Sequence, residues 1–260
     1  MADKFFWYEL MTPDTDAAFD FYGHVIGWTF AEMPGGGDLP YTIVSAGDRA
    51  VGGVLRLTEE MKAGGARPAW VGYIEADDTD AKTKEVEAAG GQVFMPPRDV
   101  PGAGRISMVA DPGGAPFYLM TPKPPEGAEA GPGPLPPTAT GAFSWHELYA
   151  GQGQKAAFDF YSGLFGWESM MEMEMGPMGV YRLWGKDGVQ LGGMMDKPAN
   201  IPASCWGFYT TVDGIDAAVE RLKEKGGQVL SGPHQVPGGS WIVQVMDPQG
   251  AAFALTSARK

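Results

Sequence analysis

Ala17-Ala18-Phe19-Asp20-Phe21-Tyr22 is repeated letter for letter as Ala156-Ala157-Phe158-Asp159-Phe160-Tyr161, and the sequence on either side repeats with it. Upstream, Trp7-Tyr8-Glu9-Leu10 is matched by Trp145-His146-Glu147-Leu148. Downstream, Gly27-Trp28 is matched by Gly166-Trp167, Tyr41 by Tyr181, Gly52-Gly53 by Gly192-Gly193, and Asp111-Pro112 by Asp247-Pro248. Similarity sustained over so many positions marks a duplicated structural unit. With 260 residues, each copy has enough chain to bury its own core. Residues 122–142 between the copies are too rich in Pro and Gly for a helix or a central strand and read as a linker. The expected organisation is a first domain over 1–121, the linker over 122–142, and a second domain over 143–260.

Within each half the patterning gives short elements. Phe5 to Met11 alternates as a strand, and Asp14 is placed to cap an amphipathic helix running to about Val25. Strands are expected at Trp28 to Met33, Tyr41 to Ala46 and Val51 to Leu57, which makes a βαβββ order. A second round follows, with a strand at Trp70 to Ala76 and a helix at Asp78 to Ala89 closed by Gly90-Gly91. Its later strands are expected near Gln92 to Met95, Arg105 to Ala110 and Pro116 to Thr121. The second half repeats both rounds, at about 143–195 and 205–257. The fold class is α+β.

This module order, the Ala-Ala-Phe-Asp-Phe-Tyr…Gly-Trp phrase, Gly-Gly-Gln-Val after the second helix of each half and Asp-Pro-x-Gly before the last strand together resemble the vicinal oxygen chelate superfamily. That group includes glyoxalase I, bleomycin-resistance proteins and extradiol dioxygenases. The pattern is most similar to that of two-domain glyoxalase-like proteins, in which Trp-x-Glu-Leu opens each half. The resemblance implies that each pair of modules curves its strands into a half-open cup, with helices outside and any ligand in the concavity. It also implies a divalent metal held by His, Glu or Gln of the first and last strands.

Carried onto this chain, the metal positions fall at Trp7, Val71 and Tyr118 in the first half and at Trp145, Gly207 and Ala254 in the second. None of these residues is an ordinary metal ligand, whereas a catalytic metal needs about three converging donors. No cofactor is therefore expected, a divalent metal being possible only through other ligands. The three His residues lie apart. His146 is one residue out of phase with Trp145 and Glu147, so alternation turns it toward the helices as a packed or capping side chain. His24 and His234 read as surface residues, the latter in a loop.

Residues two apart on a strand share a face, so Glu9 accompanies Trp7 and Glu147 accompanies Trp145. A carboxylate against an indole can serve as general acid or base, or accept a hydrogen bond from a ligand. Glu9 and Glu147 are the candidate catalytic residues. The alternative is that each pairs with an Arg or with backbone donors and only closes the fold. By the same argument Trp7, Tyr73, Glu75, Tyr118, Trp145 and Tyr209 are candidate ligand contacts, in an aromatic setting with few polar groups. Met171, Met173 and Met175 fall on one side of a strand and are expected to pack in the core, the alternative being a flexible apolar lining. Cys205, with no His or basic residue close in sequence, reads as buried and inert.

Nineteen Lys and Arg against 32 Asp and Glu give a formal net charge of −13, which repels phosphate backbones and anionic lipid. Nucleic acid and membrane are excluded as partners. One Cys precludes an intrachain disulfide, and neither a signal peptide nor a spanning apolar run is present, so the cytoplasm is the expected location. The expected function is binding of a small organic molecule in one or both halves without a tightly held metal. Two alternatives stay open: a metal-dependent lyase or dioxygenase of glyoxalase type, and a resistance-type protein that sequesters its ligand. Either a monomer that pairs its domains within one chain or a homodimer fits the duplication.

Overall fold

The computed structural model describes residues 3–33, 40–124 and 133–260; the middle of the expected linker, 125–132, lies outside them. Four βαβββ modules follow one another. The first comprises β1 (Phe5–Thr12), α1 (Thr15–Ile26), β2 (Thr29–Glu32), β3 (Tyr41–Ala46) and β4 (Arg49–Arg56). After a short helix α2 (Glu59–Ala63), the second comprises β5 (Ala69–Glu75), α3 (Thr79–Ala88), β6 (Gln92–Val100), β7 (Gly104–Ala110) and β8 (Pro116–Pro122). The third contains β9 (Phe143–Ala150), α4 (Gln154–Phe165), β10 (Glu168–Glu174), β11 (Val180–Lys186) and β12 (Val189–Asp196). The fourth contains β13 (Cys205–Thr211), α5 (Ile215–Glu224), β14 (Gln228–Gln235), β15 (Trp241–Met246) and β16 (Ala252–Ser257).

The strands form two open eight-stranded sheets, in the orders β2-β3-β4-β1-β5-β8-β7-β6 and β10-β11-β12-β9-β13-β16-β15-β14. The first strand of each module runs parallel to the last: β1 to β4 with Glu9 opposite Gly53, and β9 to β12 with Glu147 opposite Gly193. No helix among the described residues is long and apolar enough to cross a membrane.

Three local departures from the sequence reading have physical causes. The helix α2 was not anticipated; Thr58 caps it, its Oγ1 accepting from Met61 N at 3.1 Å, with Glu59 and Glu60 in the first turn. Strand β6 runs past Met95 through Pro96-Pro97 to Val100, with register slips on either side of Met95. It is the outermost strand of its sheet, where a missing N–H and a bulge are tolerated. His234 lies on β14 rather than in a loop, its Nε2 3.2 Å from Ser231 Oγ.

The two copies of the repeated helix start differently. Asp14 caps α1, its Oδ1 accepting from Ala17 N at 3.1 Å. Helix α4 has Gly153 at its cap position, and Asp196 Oδ1 accepts from Gln154 N at 2.7 Å instead. Both end on a left-handed glycine, Gly27 and Gly166, a conformation open to glycine without strain.

By their contacts the residues divide into two compact units that are not the two halves. One comprises Met1–Phe6, Val71–Ala128 and Trp145–Gly207; the other comprises Trp7–Trp70, Glu129–Ser144 and Phe208–Lys260. Each unit thus joins most of a module from one half to most of a module from the other. The join is made by the repeated residues themselves. In the first unit Tyr161 of α4 donates its hydroxyl to Asp111 Oδ2 at 3.3 Å and accepts from Trp206 Nε1 at 2.9 Å. In the second, Tyr22 of α1 donates to Asp247 Oδ2 at 3.0 Å and accepts from Trp70 Nε1 at 2.9 Å. The other oxygen of each aspartate accepts two backbone N–H groups of its own turn: Gly113 and Ala115 for Asp111, Gln249 and Ala251 for Asp247.

Both tyrosines and both aspartates are buried. Burial raises the carboxyl pKa of Asp111 and of Asp247, and the backbone and phenol donors oppose it. Aromatic packing surrounds each bond: Tyr161 stacks on Trp167 at 5.0 Å, and Tyr22 on Trp28 at 5.8 Å. Tyr22→Phe and Tyr161→Phe each remove one donor from a buried carboxylate and one acceptor from a buried indole, so each is expected to cost about 1–3 kcal/mol. Urea denaturation reads the loss as a lower midpoint with an unchanged slope.

Candidate functional site

In each half a tryptophan of the first strand meets the same tyrosine. Trp7 Nε1 donates to Tyr41 Oη at 2.9 Å in the first half, and Trp145 Nε1 donates to Tyr181 Oη at 3.1 Å in the second. The repeated glycine pair makes this possible. A Cβ on Gly53 would stand 2.2 Å from Tyr41 Oη, and one on Gly193 would stand 2.1 Å from the Tyr181 ring, so the phenol lies across the space a side chain would fill. The preceding glycines are required by the backbone: a Cβ would come within 2.3 Å of the Tyr8 carbonyl oxygen at Gly52 and within 2.1 Å of the His146 carbonyl oxygen at Gly192.

The second half carries the cluster further. Tyr181 Oη donates to Glu147 Oε1 at 2.8 Å, and Tyr149 Oη donates to Glu147 Oε2 at 2.5 Å. Glu147 is 6 % exposed. Neither an Arg nor backbone donors, the partners the sequence suggested, supply these two bonds; they come from phenols. Burial, followed by the charge of Glu147, pushes the pKa of both tyrosines well above the ordinary phenol value, so both remain protonated donors. Cys205 is half-buried, and burial with the charge of Glu147 pushes its thiol up to about 11 against the opposing effect of Lys197. It is a neutral thiol at physiological pH.

Cross-strand register shows which face this is. Arg182 on β11 points toward α4: its Nε donates to Gln154 Oε1 at 2.8 Å, and its guanidinium lies 4.8 Å from the centre of the Phe158 ring. Glu172, opposite it on β10, pairs with it at 2.7 Å. The alternate residues therefore face away from the helix: Met171 beside Leu183, Met173 beside Tyr181, Leu183 beside Gly193, and Gly193 beside Glu147. Met171 is 54 % exposed and Met175 39 %. The expectation that these methionines pack in the core is thus corrected. Met173 is half-buried, and β10 is the edge strand of its sheet.

His146 lies on the opposite side, as its phase required. It is buried, its Nδ1–H donates to the Leu191 carbonyl oxygen at 2.7 Å, and its ring stacks on Phe5 at 5.0 Å. His24 is partly exposed and contacts Glu224 at 2.9 Å.

The remaining sequence candidates separate between the compact units. Trp7, Glu9 and Tyr209 belong to one, and Tyr73, Glu75, Tyr118, Trp145 and Glu147 to the other. Glu9 is 3 % exposed. Tyr73 and Tyr118 are opposite each other in register and stack at 4.2 Å, both buried, and Glu75 is half-buried at the end of the same strand. Tyr209 is buried, opposite Ala254, and its hydroxyl accepts from Gln244 Nε2 at 3.2 Å. Sequence reasoning missed Tyr149, Tyr41 and Tyr181 as site residues. For Tyr41 and Tyr181 the signal was available, since both copies keep the residue. Tyr149 is present in one copy only, its counterpart being Met11.

The donors do not suit a metal at the superfamily's positions. Trp7, Val71, Tyr118, Trp145, Gly207 and Ala254 provide no carboxylate or imidazole, and among the described residues no three His, Cys, Asp or Glu side chains gather around one point. The ring of Tyr149 lies beside Gly207, its Cε2 3.7 Å from where a Cβ would stand.

Comparison with known proteins gives consistent results. The sequence model of the Glyoxalase/Bleomycin resistance protein/Dioxygenase superfamily matches residues 4–119 and 146–255. The chain is 32% identical over 252 residues to "Putative glyoxylase CFP32" of Mycobacterium tuberculosis, covering 96% of this chain and 92% of that protein. It is also 32% identical over 266 residues to "Anthracycline biosynthesis protein DnrV" of Streptomyces peucetius, covering 98% and 93%. Among solved structures it is similar to the Mn(II)-bound glyoxalase from Novosphingobium aromaticivorans, with a TM-score of 0.66, 19% identity and coverage of 100% and 83%. It is similar too to 2,2',3-trihydroxybiphenyl 1,2-dioxygenase from Sphingomonas wittichii strain RW1, with a TM-score of 0.67, 12% identity and coverage of 99% and 91%.

Burial lowers the His146 pKa to about 4, against 6.5 for an ordinary histidine, the Leu191 hydrogen bond opposing the shift. The unfolded chain therefore binds a proton at this residue that the folded chain refuses between pH 6.5 and 4. This contribution to stability is complete above about pH 6.5 and is lost as pH falls, by about 3 kcal/mol at pH 4. Urea titrations across that range should show the fall, and His146→Phe should flatten it.

Proposed function

The chain belongs to the Glyoxalase/Bleomycin resistance protein/Dioxygenase superfamily, and from that premise we propose that it binds a small organic molecule on the helix-free face around Glu147, without a tightly held metal. The observation that carries this reading is the Trp145–Tyr181–Glu147–Tyr149 cluster, in which a buried carboxylate is held by two phenols at the strand where superfamily enzymes place a metal ligand. A carboxylate fixed in this way can polarise a hydroxyl or take up a proton without a metal. Glu147 is the proposed base if the ligand is turned over, and Glu9 is its counterpart beside Trp7 and Tyr41. Trp145, Tyr73, Glu75 and Tyr118 are proposed to supply ligand contacts in the unit of Glu147, and Trp7 and Tyr209 in the unit of Glu9.

The named relatives favour a second reading, that of a metal-dependent lyase or dioxygenase, because the glyoxalase that this chain resembles in fold is Mn(II)-bound. Elemental analysis of the purified protein separates the two. The metal-free reading expects no nickel, zinc, iron or manganese near one equivalent, and a stoichiometric metal removed by chelator would overturn it. A thermal-shift screen of dicarbonyl and aromatic compounds should then find stabilising ligands. In the double variant Glu9→Gln, Glu147→Gln, retained affinity with lost turnover indicates an enzyme. Retained affinity with no turnover in either protein indicates a sequestering protein of the resistance type.

We propose in addition that the protein acts in the cytoplasm as a monomer. Each compact unit already combines modules of both halves, a pairing that a second chain would otherwise supply. Light scattering should give a mass near 27.7 kDa, and a dominant dimer counts against this.

A further inference from the structure

We propose that the pocket where the β7–β8 turn meets the loop before α4 is a second small-molecule site, separate from the cluster around Glu147, and that it takes a compound presenting a carboxamide-type edge, a C=O beside an N–H. The pocket has a volume of about 440 Å³ and lies within one compact unit. Gly113 and Gly114 of the turn, Gly151 and Gln152 of the loop, and Lys197 and Ser204 of the connection between β12 and β13 line it. Ser204 ties these segments together: its Oγ accepts from Gly151 N at 3.1 Å and donates to the Tyr149 carbonyl oxygen at 2.9 Å.

The two compact units build this junction differently. In the other unit the turn carries Gln249 where this one has Gly113, and that side chain crosses to the loop: Gln249 Oε1 accepts from Asp14 N and Nε2 donates to Asp14 O, both at 2.8 Å. Here the glutamine comes from the opposite side, in a loop lengthened by one residue between Trp145 and Ala156 relative to Trp7 and Ala17. Gln152 occupies the room left by Gly113, since a Cβ there would collide with Gln152 Oε1. Its Oε1 and Nε2 are both buried, and neither reaches a protein partner in hydrogen-bonding geometry, although the amide is close enough to Asp111 to join the donors that oppose the burial-driven rise of its carboxyl pKa. A buried amide that makes neither bond costs free energy, and the terminal torsion of a glutamine turns with little hindrance, so the amide is poised to rotate into the pocket that its side chain lines. One acceptor and one donor there are both met by a carboxamide, a lactam or a urea. Lys197 Nζ, held by the carbonyl oxygens of Ile201 at 2.6 Å and Pro198 at 3.5 Å, has a third hydrogen for the ligand's C=O. A carboxylate would leave Gln152 Oε1 without a donor and would bring a second negative charge toward Asp111.

The test titrates benzamide, N,N-dimethylbenzamide and benzoate into the isotope-labelled full chain and follows the backbone amide resonances of Gly113, Gly114, Gly151 and Gln152 by NMR. Benzamide should shift them saturably, and the other two compounds should bind about tenfold more weakly, the effect of one unmade buried hydrogen bond. Gln152→Ala should weaken benzamide binding by about tenfold without lowering the urea midpoint, because the amide it removes makes no bond in the free protein. Gln249→Ala should do the reverse, lowering the midpoint and leaving benzamide affinity within about twofold, because that amide ties a turn to a loop. The proposal is overturned by benzamide shifts that do not saturate or that fall only around Glu147, by equal affinity for the three compounds, or by undiminished benzamide binding in Gln152→Ala. A midpoint lowered in Gln152→Ala as far as in Gln249→Ala would likewise overturn it, showing a structural tie. If Gln152→Ala does not fold, as circular dichroism would show, the three compounds on the unaltered chain decide alone. None of these outcomes depends on what is bound near Glu147.

Discussion

A buried phenol donating to a buried carboxylate holds this protein in its arrangement. Tyr161 to Asp111 and Tyr22 to Asp247 are bonds between modules that lie in different halves of the sequence, and one of them lies within each compact unit. A carboxylate without water costs several kcal/mol unless every lone pair is met, and here two backbone N–H groups and one phenol meet it. The tyrosine is fixed in turn by an indole N–H, from Trp206 or Trp70. Phe-Tyr in the helix and Asp-Pro in the turn are thus complementary surfaces. Duplication reproduced both members of the pair, so each half presents a tyrosine to the other's aspartate.

A second constraint, steric rather than electrostatic, shapes the site. Glycine at 53 and 193 lets a tyrosine from the neighbouring strand lie across the last strand of its module and reach the indole on the first, and in the second half the carboxylate too. Any side chain there would displace the phenol. In the second half the result is a set of O–H and N–H donors around one carboxylate. Such a cluster fixes the positions of the phenolic protons, since each phenol is held as a donor.

Most elements were legible in the sequence because they follow from local pattern. Asp14 as a helix cap, the strand from Phe5 and the orientation of His146 all depend on a few neighbouring residues and came out as read. The misreadings involved long-range placement. Met171, Met173 and Met175 alternate as a core strand would, yet β10 is a sheet edge, and the order of strands explains why Met171 and Met175 are exposed and Met173 only half-buried. Likewise β6 continues through two prolines because it too is an edge strand.

By itself the sequence determined the duplication, the α+β module order, the placement of an indole and a carboxylate on one face of the first strand, and the lack of ordinary ligands at the superfamily's metal positions. These are matters of residue type and period, which neighbours along the chain fix. Tertiary structure alone decided which modules form a compact unit and which phenols complete the carboxylate. Tyr181 is 34 residues from Glu147, and Tyr161 is 50 from Asp111. Which donor satisfies a buried acceptor depends on which strands and helices come to rest against each other, and packing of whole modules settles that, not local pattern.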